Sequence, residues 1–236
     1  MKHALAAAAF TLVTASAVLA EGITSAHYDD PTTRYAHGIL GDAIEWGALV
    51  LETDEGRTLR LALPESRVFE DTEPRLFDVD GDGDNEVIAV ETDLSRGARL
   101  SIYDADGLVA ANDFIGQSNR WLAPAGVGAA DLDGDGTVEL VYVDRPHLAK
   151  TLRIYSFAPG KLKLEASFLA VTNHRIGESD IAGGIRTCDG PPEIILADAD
   201  WREVLALRWD GAQFDLTRLG PHRGRETFQA AMECRL

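Results

Sequence analysis

The sequence predicts an all-β fold, most simply a small β-propeller of about four four-stranded blades. An apolar, strand-like segment occurs four times at intervals of about 39 to 54 residues. Each copy is followed by a segment in which apolar and polar residues alternate, as a half-buried antiparallel strand requires. Helical periodicity is nearly absent after residue 20. Repeated strands without helices are typical of propeller blades.

The four repeat units start near residues 39, 78, 131 and 185. Their first strands are predicted over 48–54, 87–93, 140–144 and 194–198, and their second strands over 58–63, 99–103, 152–157 and 203–209. Third strands follow Gly-containing turns over 108–114, 161–168 and 213–219. A fifth blade is possible if the two termini build one together. A sandwich or barrel would accommodate the strands but would not explain the repeat.

Residues 1–20 have the features of a secretory signal peptide. Lys2 and His3 precede an apolar run that ends at Ala20, and small residues before Glu21 offer a cleavage point. The run is short for a membrane-spanning helix and has no basic flank after it. We therefore expect residues 21–236 to form one domain in the periplasm or outside the cell, without membrane insertion.

The charge balance limits the classes of partner, and the cysteines bear on the redox compartment. The chain has 39 acidic against 22 basic residues, for a formal net charge of −17. This excess argues against nucleic acid and anionic membrane surfaces as partners, and fits a protein that attracts cations or simply stays soluble. Cys188 and Cys234 can pair in an oxidising compartment, and two free buried thiols are the alternative.

Two acidic loops stand out. In the stretch FDVDGDGDNEVIAVE, carboxylates occupy positions 1, 3, 5, 7 and 9 of a loop, and glycines permit its tight path. Like charges this close need a cation, and calcium suits a flexible loop of oxygen ligands. The predicted ligands are Asp78, Asp80, Asp82, Asp84 and Glu86, then Asp131, Asp133, Asp135, Thr137 and Glu139. Because Thr137 occupies position 7, that position is expected to ligate through its backbone carbonyl.

The spacing distinguishes these loops from an EF-hand. An EF-hand loop has a bidentate Glu at position 12, where this chain has Ala89 and Tyr142. Flanking helices are also not predicted. A carboxylate at position 9 that leads directly into a strand indicates a different calcium loop.

These residues resemble a known repeat. DVDGDGDNEVIAVE and DLDGDGTVELVYVD are similar to the FG-GAP or VCBS type of repeat, the blade unit of integrin alpha-subunit propellers. The resemblance covers about residues 35 to 220, but its specific motif occurs only in the two middle units. It implies a β-propeller in which two loops each bind calcium between strands of a blade.

The outer units depart from this motif. Unit one has Ile39, Gly41, Ala43 and Gly47 at the ligand positions, so it is expected to bind no calcium. Unit four has Ile185, Thr187, Asp189 and Glu193 there, in the rebuilt loop IRTCDGPPE. We expect a Cys188–Cys234 disulfide to join this fourth unit to a C-terminal strand, in place of the cross-link that calcium provides elsewhere.

Few residues indicate anything beyond structure. Arg34, Arg120 and Arg175, with His174, could converge on one face as an anion or carbohydrate site, although Arg packed on an aromatic ring is ordinary. No metal-binding His pair, nucleophile elbow or phosphate loop is present. We expect a monomeric binding or scaffold module with a protein or carbohydrate ligand. The alternative is a hydrolase or lyase, or a small-ligand binder that uses the Arg/His face.

Overall fold

The computed structural model describes residues 21–236, so the predicted signal peptide lies outside the described residues. Within this range the chain consists of strands and one short helix. The strands are β1 (Ile23–Thr32), β2 (Glu45–Thr53), β3 (Thr58–Ala62), β4 (Arg67–Phe69), β5 (Arg75–Phe77), β6 (Glu86–Asp93), β7 (Gly97–Asp104), β8 (Gly107–Ala111), β9 (Leu122–Ala130), β10 (Glu139–Asp144), β11 (Thr151–Ala158), β12 (Lys161–Leu169), β13 (Val171–Thr172), β14 (Gly184–Arg186), β15 (Glu193–Asp198), β16 (Glu203–Trp209) and β17 (Phe214–Pro221); the helix is α1 (Arg225–Met232). The predicted all-β class is confirmed.

The strands form three sheets, none of them closed. The largest has eight strands in the order β1-β2-β4-β6-β7-β8, with β3 paired to β2 and β5 paired to β6. The second has the order β12-β11-β10-β9, and the third has β13-β15-β16-β17 with β14 paired to β15. Four separate blades are not seen, because β4 pairs with both β2 and β6 and so joins units one and two.

Most predicted strands are present, and the differences have local causes. The third strand of unit two ends at Ala111 instead of residue 114, because the Asn112 side chain accepts the N–H of Leu100 at 2.8 Å. β1 and β9 were not predicted, although β1 pairs with β2 over its whole length and β9 pairs with β10. Four further strands have only two or three residues each, too few for a periodic signal: β4, β5, β13 and β14.

The recurring apolar segments form the core. β6 and β10 are buried at every residue, which explains their nearly continuous apolar sequence. One core cluster lies around Trp121 and joins residues of the first two sheets, and another joins β10 and β11 to β15 and β16. Each fully buried branched or aromatic side chain contributes roughly 1.5–3 kcal/mol.

The C-terminal segment corrects one prediction. It is a helix rather than a strand, because Phe228 and Ala231 lie on one face of α1 and pack against β15 and β16. The termini also do not build a fifth blade together, since β1 pairs with β2. Among residues 21–236, no helix combines the length and apolar character that a bilayer span requires.

Candidate metal sites

The two acidic loops have the same backbone hydrogen bonds. The first joins β5 to β6 and the second joins β9 to β10. At position 1, the Asp78 carboxylate accepts the N–H of Gly81 at 2.7 Å and of Gly83 at 3.1 Å. Both glycines have positive φ, at 79° and 100°, which explains why glycine occupies these positions. The second loop has the same bonds from Gly134 and Gly136 to Asp131, at 2.7 and 3.1 Å.

Three carboxylates converge in each loop. One ligand oxygen from each residue lies within 4.8 Å of the others in two groups: Asp78, Asp80 and Glu86, and Asp131, Asp133 and Glu139. The Glu at position 9 is buried at the start of a strand and accepts the backbone N–H of the residue at position 2. These bonds are 2.8 Å long, from Val79 to Glu86 and from Leu132 to Glu139.

This convergence is electrostatically unfavourable on its own. Burial, with smaller contributions from the neighbouring aspartates, raises the pKa of Glu86 and of Glu139 to about 7. Burial and two neighbouring carboxylates also raise the pKa of Asp80. A proton or a cation must therefore offset the accumulated negative charge near neutral pH.

The side chains at positions 5 and 7 lie outside the converging groups and make other contacts. Asp82 accepts the N–H of Asp84 at 2.9 Å, and Asp135 accepts the N–H of Thr137 at 2.7 Å. The Asp84 side chain lies against Gly22, where an added Cβ would come within 2.8 Å of its Oδ1. Positions 1, 3 and 9 thus form the converging group, and the ligand roles of positions 5 and 7 stay predictions.

The residues present fit a hard cation. Each group offers three carboxylates and no nitrogen or sulfur ligand, which is the donor set of calcium rather than of zinc or copper. Asp78, Asp80 and Glu86 would hold the ion in the first loop, and Asp131, Asp133 and Glu139 would hold it in the second. The two loops lie close together, because Asp80 and Thr137 line the same cavity.

The fourth unit replaces this arrangement with internal cations and a covalent bond. Glu193, at the start of β15, accepts a hydrogen bond from Arg186 Nε at 2.9 Å and forms ion pairs with Arg186 Nη2 at 2.8 Å and Arg208 Nη2 at 2.9 Å. Arg186 also donates to the carbonyl of Ala231 in α1. The predicted Cys188–Cys234 disulfide is confirmed, with a Cα–Cα distance of 5.9 Å. It joins the loop to the end of a helix, not to a strand.

The predicted arginine and histidine face is not assembled in one place. Arg34 donates to the carbonyl of Arg67 at 2.5 and 3.0 Å, and Arg120 lines a cavity of about 400 Å³. Arg175 lies 4.2 Å over the ring of Trp201 and lines a different cavity. His174 is fully buried, with its ring against Trp121. Of the four residues, only Arg120 lines the larger cavity.

The loops and the strands around them define an all-β repeat protein with paired acidic turns. Residues 78–142, which contain both loops and the strands between them, match the FG-GAP-like repeat. The match agrees with the resemblance inferred from the loop sequences. No curated protein matches the chain.

Proposed function

We propose that this protein is a periplasmic or secreted β-propeller-like binding module, stabilised by one calcium ion in each acidic loop. The observation that carries the proposal is the pair of carboxylate groups with the same hydrogen bonds, inside the segment that matches the FG-GAP-like repeat. Two independent loops that converge on the same geometry favour a shared ligand over two solvated turns. The disulfide is compatible with an oxidising compartment.

The role of calcium is structural in this proposal. Position 2 of each loop is a buried apolar residue: Val79 packs in the core around Trp121, and Leu132 packs in the core formed with β15 and β16. Each loop is therefore fixed to a hydrophobic core while its carboxylates repel one another. With a dissociation constant near 0.1 mM, 1 mM calcium would stabilise the fold by about 1.4 kcal/mol per site.

A binding role, not catalysis, is the function that we propose. The carboxylate oxygens lie on loops that join two strands, which suits an ion with a structural role. The alternative is a hydrolase or lyase, or a small-ligand binder that uses arginine and histidine side chains. The cavity lined by Arg120 supports the small-ligand version.

Calcium titration by calorimetry, with melting temperature measured in parallel, tests the metal sites. We expect two calcium ions per chain, one after Asp80→Asn or Asp133→Asn, and none in the double variant, because each substitution removes a converging carboxylate. Chelator should lower the melting temperature of the unsubstituted chain. Asp189→Asn, at position 5 of the rebuilt loop, is the matched control and should leave both sites intact. An unchanged melting temperature with no bound calcium would refute the proposal.

A further inference from the structure

One cavity lies where loops from all three sheets meet. It has a volume of about 400 Å³, within the range that suits a small organic ligand. The β1–β2 loop contributes His37, the segment before β9 contributes Arg120 and Trp121, and the β10–β11 loop contributes His147. The β13–β14 loop adds Ile176. No single repeat unit could form this site alone.

Part of the cavity lining is apolar and open to solvent. Leu148 and Ile176 are 64% and 68% exposed, although both are large aliphatic residues. Trp121 is 2% exposed, and its indole N–H donates to the carbonyl of Glu70 at 2.7 Å, so its ring is held firmly. The two exposed aliphatic residues form a surface for an apolar group, in a cavity that the nearly buried Trp121 also lines.

The cavity also carries an uncompensated positive charge. Arg145 forms two hydrogen bonds to Asp144, at 2.7 and 2.9 Å, so its charge is neutralised. Arg120 donates to the carbonyl of Asn119, and no acidic side chain in residues 21–236 lies within ion-pair distance of it. In a chain of net charge −17, a guanidinium without an acidic partner favours an anion at this position.

The imidazole rings of His37 and His147 line the cavity, and hydrogen bonds orient both of them. His37 Nδ1 lies 2.5 Å from a carboxyl oxygen of the buried Glu70, and this hydrogen bond fixes the orientation of the ring. His174 Nε2–H donates to the carbonyl of Glu178 at 2.8 Å, so its Nδ1 accepts from His147 Nε2–H at 3.2 Å. Burial, followed by the His174 ring, lowers the pKa of His147 to about 4 and keeps this ring neutral. The second ring nitrogen of His37, Nε2, forms no hydrogen bond within residues 21–236 and can meet a ligand hydroxyl.

We propose that this cavity binds a small organic acid with an apolar body, such as a hydroxy acid with an aromatic side chain. The carboxylate pairs with Arg120, the apolar body packs on Leu148 and Ile176, and a hydroxyl forms a hydrogen bond with an imidazole nitrogen. The inference rests on the proposed role as a binding module, but it does not depend on calcium in the acidic loops.

Ligand-observed NMR on the full chain tests the site with 3-phenyllactate, indole-3-acetate and hexanoate as probes, and calorimetry follows for the best of them. We expect binding of at least one acid, and weaker binding of its amide, which lacks the charge. Arg120→Gln should weaken binding of the acid by about tenfold or more, since a charge-assisted pair is lost. Arg223, which forms no ion pair in residues 21–236 and does not line the cavity, provides the control Arg223→Gln.

A second pair of variants tests the apolar surface without endangering the fold. Leu148→Ser combined with Ile176→Ser should weaken binding, because both residues are exposed at the cavity. Leu169→Ser is the matched control, since Leu169 is 69% exposed and does not line the cavity. Failure of all three acids to bind, or equal weakening by the cavity and control variants, would overturn the inference.

The calcium-loop variant separates the two proposals. The same NMR measurement is made on the Asp80→Asn, Asp133→Asn double variant, with circular dichroism to show that it is folded. Acid binding by the double variant would show that the cavity does not need calcium. Acid binding by the unsubstituted chain, with no calcium bound in calorimetry, would leave the cavity proposal standing and remove the calcium proposal. Calcium binding without acid binding would do the reverse.

Discussion

A glutamate starts the first predicted strand of units two, three and four, which are β6, β10 and β15, and it has two different environments. In units two and three, Glu86 and Glu139 lie among aspartates and need an external cation or a proton. In unit four, Glu193 lies between two arginines beside a disulfide. The strand registers are equivalent, because each glutamate pairs with the last residue of the preceding strand. These residues are Phe77, Ala130 and Arg186.

The comparison shows that one structural position can be stabilised in two ways. If the acidic loops bind calcium as we propose, their compensation comes from solution, and we expect their stability to depend on the cation concentration. The fourth unit contains its own positive charges and a covalent bond, so its stability depends on its residues and on the redox conditions. A reductant and a chelator should therefore destabilise different parts of the same chain.

The largest expected effect comes from removal of the disulfide. Cys188→Ser with Cys234→Ser should lower the free energy of unfolding by about 4 kcal/mol, the chain-entropy value for a bridge across a sequence separation of 46 residues. Urea unfolding measures this loss. Calcium stoichiometry should stay at two, because the acidic loops lie in other units. A loss of calcium together with the disulfide would contradict the separation of the two regions.

Removal of the internal cation should have the next largest effect. Arg186→Met leaves the buried carboxylate of Glu193 with only the partly exposed Arg208, and should lower the free energy of unfolding by about 3 kcal/mol. Urea unfolding again provides the measurement. Arg208→Met is the matched control and should cost clearly less, because its side chain is 45% exposed. Equal costs for the two substitutions would contradict a special role for Arg186.

Unit one offers a third case, a buried carboxylate with neither kind of compensation. Burial first, then Glu70, raises the pKa of Glu45 from 4.5 to about 9. The folded state therefore holds this proton more tightly than the unfolded state, and stability falls as pH rises from about 4.5 to about 9. Glu45→Gln should remove this loss and stabilise the fold by about 1 kcal/mol or more at pH 8. Unfolding curves at pH 5 and pH 8 measure it; an equal effect at both values would contradict the shift.

The smallest expected effect sharpens the ligand assignment within the acidic loops. Thr137→Ala should leave calcium stoichiometry and melting temperature nearly unchanged, because position 7 is proposed to ligate through its backbone carbonyl. Glu139→Gln in the same loop is the contrast and should abolish that site, since Glu139 belongs to the converging group. Loss of calcium after Thr137→Ala would show that the side chain itself is a ligand.

Sequence patterns predicted the strands of this protein well where periodicity or turn chemistry was strong. The acid and glycine spacing of 78–86 and 131–139 predicted loops whose geometry the structure shows twice. The helix 225–232 was not predicted, because its eight residues provide only two turns of periodicity. Arg186 was also missed, since nothing local distinguishes an arginine that pairs with Glu193 from one that faces solvent.

The sequence by itself determined the all-β class, the acidic loops and the disulfide pair, because each depends on residues close in the chain or on the only two cysteines. The tertiary structure alone decided the grouping into three sheets, the pairing of Glu193 with arginines, and the cavity beside Trp121. These features bring together residues from different units. Such long-range contacts are selected by packing and by the compensation of buried charge, which no local pattern encodes.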